Sequence, residues 1–204
     1  MRLNLGCGSQ VPEGWTNVDY ALGARLFKIP FFYLINKYIK LFDLSWNDKI
    51  YIHDLRKKFP WDDDCVSTIY SSHTLEHFTR QDGRMFLSEC YRVLSNNGII
   101  RIVVPDLKYD ITEYIEGRTR SEDFLDKLGV LYGNNNNALK NYLSPFIQFP
   151  HKCMYDSERL LLILKEIGFD ASYRTPFESK ISDIRLIELE NRTKNAVIVE
   201  GIKQ

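Results

Sequence analysis

Residues 2–9, "RLNLGCGS", run a short apolar strand directly into a glycine turn, and the rest of the chain is read from this junction. Glycine lacks a Cβ, so at Gly6 and Gly8 the backbone can come close to a ligand held at the strand's C-terminal end. A tight turn without a ligand would look the same. The dinucleotide fingerprint G-x-G-x-x-G needs a third glycine where Val11 stands, and an acidic residue about 20 positions on. Asp19 follows Gly8 by only eleven positions, which argues against NAD.

Outward from the turn, short apolar runs recur in the manner of buried parallel strands: "TNVDY" at 16, "IYIHDL" at 50, "VSTIYSS" at 66, "IIRIVV" at 99 and "NAVIVEGI" at 195. Helical patterns alternate with them. One is expected from about Gln81 to Leu94, with Phe86, Leu87, Cys90, Val93 and Leu94 at three- and four-residue spacing and "NNG" as its stop. Another follows "YDSE", where Asp156 or Ser157 can cap "ERLLLILKEI" and Gly168 supplies the left-handed residue beyond it. Strands alternating with helices imply an open, helix-covered sheet. Between Gly8 and Trp15 the connection is too short for a crossover helix, so an abbreviated loop is expected there.

The 204 residues fit one domain, and 27 basic against 27 acidic side chains leave no cationic footprint for nucleic acid. Cys7, Cys65, Cys90 and Cys153 form no C-x-x-C pair, which points to a reduced, cytoplasmic setting. Nothing at the start resembles a signal peptide, so the mature chain is expected to begin at Met1.

Two segments break the alternation. From Ala24, "ARLFKIPFFYLINKYIKLFDLSW" places Phe31, Leu34, Ile35, Tyr38, Leu41 and Phe42 on one predicted helix face, expected to pack on its own domain. Lys37 and Lys40 interrupt it before the roughly 20 apolar residues of a membrane span; a basic amphipathic helix on a membrane surface is the lesser alternative. The second segment, from Pro105 to Cys153, carries "GNNNN", read as an exposed loop tip.

At the ends of the predicted strands stand further candidates. Asp19 can accept from two vicinal hydroxyls, as a ribose offers. Asp54 and Leu55 in "HDL" can accept from an adenine amino group and cover its ring. Tyr20 and Ser72 lie beside them. Ligands of open α/β sheets bind along that edge. The chain here resembles class I S-adenosylmethionine-dependent methyltransferases, particularly a small bacterial group associated with surface-polysaccharide and other glycan gene clusters. The resemblance is carried by "LNLGCG", "GWTNVDY", "HDLRKKFPW", "YSSHTLEHF", "ECYRVLSNNGIIRIVVPDL" and "HKCMYDSERLLLILKEIGF", in that order. It implies a Rossmann-like three-layer α/β sandwich, with a mostly parallel seven-stranded sheet and a reversed last hairpin. S-adenosylmethionine is the implied cofactor, with contacts at Gly6, Cys7, Gly8, Asp19 and Asp54. Three positions depart from the pattern: Asn4 stands where an acidic residue is usual, although its amide oxygen can still accept, Gln10 stands where a third glycine is common, and Ser67 replaces an aspartate of the fourth strand.

"SSHTLEHF", from Ser71, raises a separate possibility, because His73, Glu76 and His77 follow the order H-x-x-E-H of a zinc peptidase class. That reading needs one continuous helix and a third ligand from elsewhere. The preceding strand puts His73 at the sheet edge instead, so no metal is expected and Glu76 and His77 are read as braces of the next helix. His73 and His151 are the candidate bases for a hydroxyl acceptor. The expectation is one methyltransferase domain over 1–204, acting on a sugar or glycan hydroxyl, with a non-catalytic cofactor-binding domain as the rival. Insertions 21–49 and 106–155 are expected to cap an acceptor pocket, through aromatics such as Phe31, Phe32, Tyr109, Tyr132 and Tyr142.

Overall fold

The computed structural model describes residues 1–43, 46–132 and 138–204, the side chains of 138–140 excepted. Seven strands make one sheet: β1 (Arg2–Leu5), β2 (Thr16–Asp19), β3 (Tyr51–Ile52), β4 (Val66–Ser72), β5 (Leu94–Pro105), β6 (Phe169–Tyr173) and β7 (Ala196–Lys203). Their order across the sheet is β3-β2-β1-β4-β5-β7-β6. The first five are parallel, and β7 runs antiparallel to both β5 and β6. The helices are α1 (Leu22–Leu26), α2 (Phe32–Ile39), α3 (Arg80–Val93), α4 (Leu107–Ile115), α5 (Ser121–Leu128), α6 (Ala138–Ile147), α7 (Ser157–Ile167) and α8 (Glu190–Thr193). Strand β6 carries no period-2 pattern long enough to announce itself in the sequence.

Alternation along the central strands explains the two cores, because successive side chains of a strand face opposite sides. Ile69, Ile102 and Val104 point to the side covered by Phe86, Leu87, Cys90 and Val93 of α3 and Leu160, Ile163 and Leu164 of α7. Tyr70 and Val103 point the other way, into a cluster with Trp15, Ile198 and the late residues Ile181, Ile184 and Ile187. Asp156 caps α7 by accepting from Arg159 N at 2.7 Å, and Gly168, at φ 121°, ends it.

No helix lies between β1 and β2, which pair directly in parallel. The loop 6–15 is held by an asparagine relay instead. Asn4 Nδ2 donates to Asn17 Oδ1 at 2.9 Å and to the Gln10 carbonyl at 3.3 Å, while Asn17 Nδ2 reaches the carbonyls of Trp15 (3.0 Å) and Pro12 (3.2 Å). The face that a first helix would cover is closed by the β6–β7 connection. That connection is anchored by Arg101, in mid-β5 and 0% exposed: Nε and Nη2 clamp Glu188 at 2.8 and 2.9 Å, and Nη1 reaches the Glu178 carbonyl at 2.8 Å and Glu200 at 3.4 Å.

The segment from Ala24 departs from the expected single helix. Pro30 removes a backbone donor, Phe31 sits at φ 64°, and two short helices result, with Leu41 and Phe42 outside both. The apolar face is not packed on the domain: Phe32 is buried against Phe27 and Phe42, but Phe31 is 71% and Tyr38 84% exposed. Among the described residues no helix is long and apolar enough to cross a membrane. The predicted "GNNNN" loop tip lies outside the described residues.

Candidate functional site

A cleft of about 760 Å³ opens at the C-terminal ends of β1, β2 and β4. The expected cofactor residues Asn4, Gly6, Cys7, Gly8, Asp19, Tyr20, Asp54, Leu55 and Ser72 all line it. The two glycines do different things. A Cβ on Gly6 would fall 1.9 Å from Thr74 Oγ1, so Gly6 is needed for packing; a Cβ on Gly8, at φ 57°, would meet nothing within 4 Å. The backbone at Gly8 therefore borders open space, as a ligand cradle requires.

Asp19 sits at the floor of the cleft, its Oδ2 accepting from Gly8 N at 2.9 Å and its Oδ1 from Ala21 N at 2.7 Å. Burial raises its carboxyl above the usual carboxylate range, against these backbone donors and the His77 ring, which lower it. Asp54 is held below that range by the Arg56 guanidinium, which donates from Nε and Nη2 at 2.8 Å each. Burial, reinforced by the Asp19 charge, pushes the Cys7 thiol far up, so Cys7 shapes the turn and supplies no nucleophile. Ser67 lies near the start of β4, bonded to the Met1 carbonyl at 3.1 Å, at the edge opposite the cleft.

The insertions contribute Ala21, Gly23, Leu41, Phe42 and Trp46 from the first, and Ile147, Gln148, Phe149 and Lys152 from the second. Of the five aromatics expected in the cap, none lines the cleft: Phe31, Tyr132 and Tyr142 are at least half exposed, and Phe32 is core. Tyr109 is half-buried elsewhere. Phe42, Trp46, Phe78 and Phe149 take that place. Sequence periodicity could not separate them, because all four lie outside the helices and strands.

"HTLEH" is not a helical motif here. His73 adopts φ 51°, and only residues 75–77 form a single 3-10 turn. His73 lines the cleft, with Nε2 2.9 Å from the Arg192 carbonyl and Nδ1 3.3 Å from Glu76 Oε1. His151 is not among the cleft-lining residues; its ring packs against that of His77, centroids 5.0 Å apart. His77, expected only to brace a helix, does line the cleft. Its imidazole is pushed below the ordinary value by burial, with the Glu76 charge opposing, which keeps it neutral at neutral pH.

A family model described as a methyltransferase domain matches residues 36–102, from within α2 to β5, a span that leaves out the glycine turn. No curated protein matches the chain. Among solved structures, the YcgJ protein of Bacillus subtilis is similar over 100% of this chain and 91% of its own, with 13% identity and a TM-score of 0.54. A SAM-dependent methyltransferase of Archaeoglobus fulgidus is similar over 99% and 85%, with 18% identity and a TM-score of 0.52. One of Methanosarcina mazei is similar over 99% and 91%, with 13% identity and a TM-score of 0.53. The fold is thus the Rossmann-like architecture of these methyltransferases, including the reversed last hairpin.

Proposed function

We propose that the chain is an S-adenosylmethionine-dependent methyltransferase acting on an oxygen nucleophile, in the first instance a hydroxyl of a sugar or glycan precursor, in the cytoplasm. The observation that carries the cofactor is the open cradle at Gly8 beside the buried Asp19 carboxylate, a geometry suited to a vicinal diol. The bound cofactor supplies an electrophilic methyl group on a sulfonium. Asp19 would accept from the ribose hydroxyls, Asp54 from the adenine amino group beside Leu55, and the loop from Gly6 to Gly8 would border the methionine part, with Asn4 bracing that loop. Tyr20 and Ser72 complete the lining. Since the carbon needs only a nucleophile held in line, positioning supplies most of the acceleration. Of the two candidate bases, His73 gives its Nε2 to the Arg192 carbonyl and His151 packs against His77 outside the cleft lining, so His77 is the imidazole assigned to the acceptor side.

Asp19→Ala and Gly8→Leu should each weaken S-adenosylmethionine binding by at least about tenfold, since a charge-assisted hydrogen bond contributes about 1.5–3 kcal/mol. Calorimetry on both variants is the measurement, and unchanged affinity in both would remove the site. Because Asp19 must be ionised to accept two hydroxyls and its carboxyl is raised, affinity should begin to fall at a higher pH than an ordinary carboxylate would dictate.

The insertions 21–49 and 106–155 are proposed as the acceptor cap. Trp46→Ala and Phe149→Ala should lower acceptor kcat/KM by roughly tenfold or more while cofactor affinity stays nearly intact. Release of S-adenosylhomocysteine during turnover with candidate glycan acceptors reads the first quantity. Loss of cofactor affinity alone would dissolve the cap assignment, and no release with any acceptor would favour the rival reading, a domain that binds the cofactor without transferring methyl.

A further inference from the structure

Glu76 is 0% exposed, and among the described residues neither of its carboxylate oxygens accepts a hydrogen bond; imidazoles face it instead, His73 Nδ1 at 3.3 Å and His151 Nε2 at 3.9 Å from Oε1. Buried carboxylates in folded proteins are paired, hydrogen-bonded or bound to an ion, because leaving one bare is costly. Around it, His77 Nδ1 and His151 Nδ1 are likewise buried without a hydrogen bond. One ligand atom from each of Glu76, His77 and His151 can be chosen so that all lie within 4.8 Å of one another.

This convergence does not depend on the side chains finding each other. The Glu76 carbonyl accepts from Lys152 N at 2.8 Å and Cys153 N at 3.1 Å, which fixes the backbone just after His151. On the other side His151 N donates to the Gly129 carbonyl at 2.7 Å, and its ring lies so close to Gly129 that a Cβ there would come within 2.8 Å of it. The chain thus holds the third ligand in place across 74 residues of sequence from His77.

We propose that Glu76, His77 and His151 bind one divalent transition-metal ion at the wall of the cleft. Two imidazoles and a carboxylate are a donor set of open zinc sites, and imidazole favours zinc or cobalt over magnesium or calcium. A tetrahedral site needs ligand–ligand edges of roughly 3.4 Å for bonds of about 2.0–2.2 Å, so the trio closes by somewhat over an ångström on the ion. His151 Nε2 is already 3.9 Å from Glu76 Oε1. The site differs from the H-x-x-E-H arrangement that the sequence suggested, because the left-handed turn at His73 commits that ring to the Arg192 carbonyl and His151 takes its place. His77 lines the cleft, so the ion's remaining position falls to a ligand there. On the methyltransferase reading, that ligand is the acceptor oxygen, whose proton the ion would make easier to lose. The binding site itself does not rest on that reading.

The test is titration of the chelator-treated full chain with Co²⁺, followed by visible absorption, with Zn²⁺ as competitor. One ion per chain is expected, and Glu76→Gln, His77→Ala and His151→Ala should each weaken Co²⁺ binding by at least about tenfold. Glu76→Gln keeps the side-chain volume, and circular dichroism of each variant separates lost ligation from lost folding. Absent Co²⁺ uptake overturns the site, as does uptake that survives in the folded variants or that depends on His73 instead of His151. Co²⁺ bound with no affinity for S-adenosylmethionine would leave the metal site standing and defeat the methyltransferase reading alone.

Discussion

Arg101→Met is expected to lower the free energy of unfolding by about 3–5 kcal/mol, because it strands the Glu188 carboxylate, 0% exposed, without its charge partner. The cost is not that of one ion pair in isolation. Arg101 also donates to the carbonyls of Thr175 and Glu178, and Glu188 accepts from Phe177 N at 2.6 Å, so the whole β6–β7 connection loses its tether. Against a typical total of about 5–15 kcal/mol, such a loss is severe. Urea unfolding of the variant measures it. The double variant Arg101→Met/Glu188→Leu should recover much of the loss, since apolar replacement of a whole buried pair is often close to neutral. A single-variant loss below about 1 kcal/mol would mean that the latch is not the anchor described.

The second large effect is expected at Gly6. Gly6→Ala places a methyl 1.9 Å from Thr74 Oγ1 and 2.7 Å from Thr74 Cγ2, at a backbone φ of 72° that disfavours any side chain. Overpacking costs about 1–3 kcal/mol and a left-handed non-glycine residue about 1–2 more, so a loss near 3 kcal/mol is expected. Thr74→Gly in the same chain removes the three atoms nearest the new methyl and should return the overpacking part only. Gly8→Ala, with the same handedness of backbone and open space ahead, should show the smaller conformational cost alone. Equal losses at the two positions in thermal or denaturant unfolding would contradict this division.

These two predictions also mark where sequence reading stops. The glycine turn, the alternating strands, the Asp156 cap and the short β1–β2 connection are local or periodic features, and each was legible from neighbouring residues. The different duties of Gly6 and Gly8 were not, because Thr74 arrives from 68 positions away. Arg101 reads as an interruption in "IIRIVV", yet its partners lie 74 to 99 residues further on. The cleft's nine expected cofactor residues sit at strand ends, where topology alone brings them together. Its aromatic wall could not be read, since Trp46 and Phe149 lie outside helices and strands. The strand before His73 already took the H-x-x-E-H order out of a single helix, and the left-handed backbone at that residue is where the linear motif breaks.

The substitution of a late segment for an early helix has a consequence in time. Trp15, Tyr70 and Val103 leave the ribosome long before Ile187 and Ile198, with which they form one cluster. Arg2 bonds Asp183 across 181 positions, at 2.7 Å. Until those residues emerge, one side of the sheet has no cover, and contacts of such separation are slow to form. Leu189, Asn191 and Arg192 belong to the same late stretch and to the cleft. Competence to bind a ligand therefore arrives with the completion of β7, and a nascent chain that still lacks it has a sheet but no finished pocket.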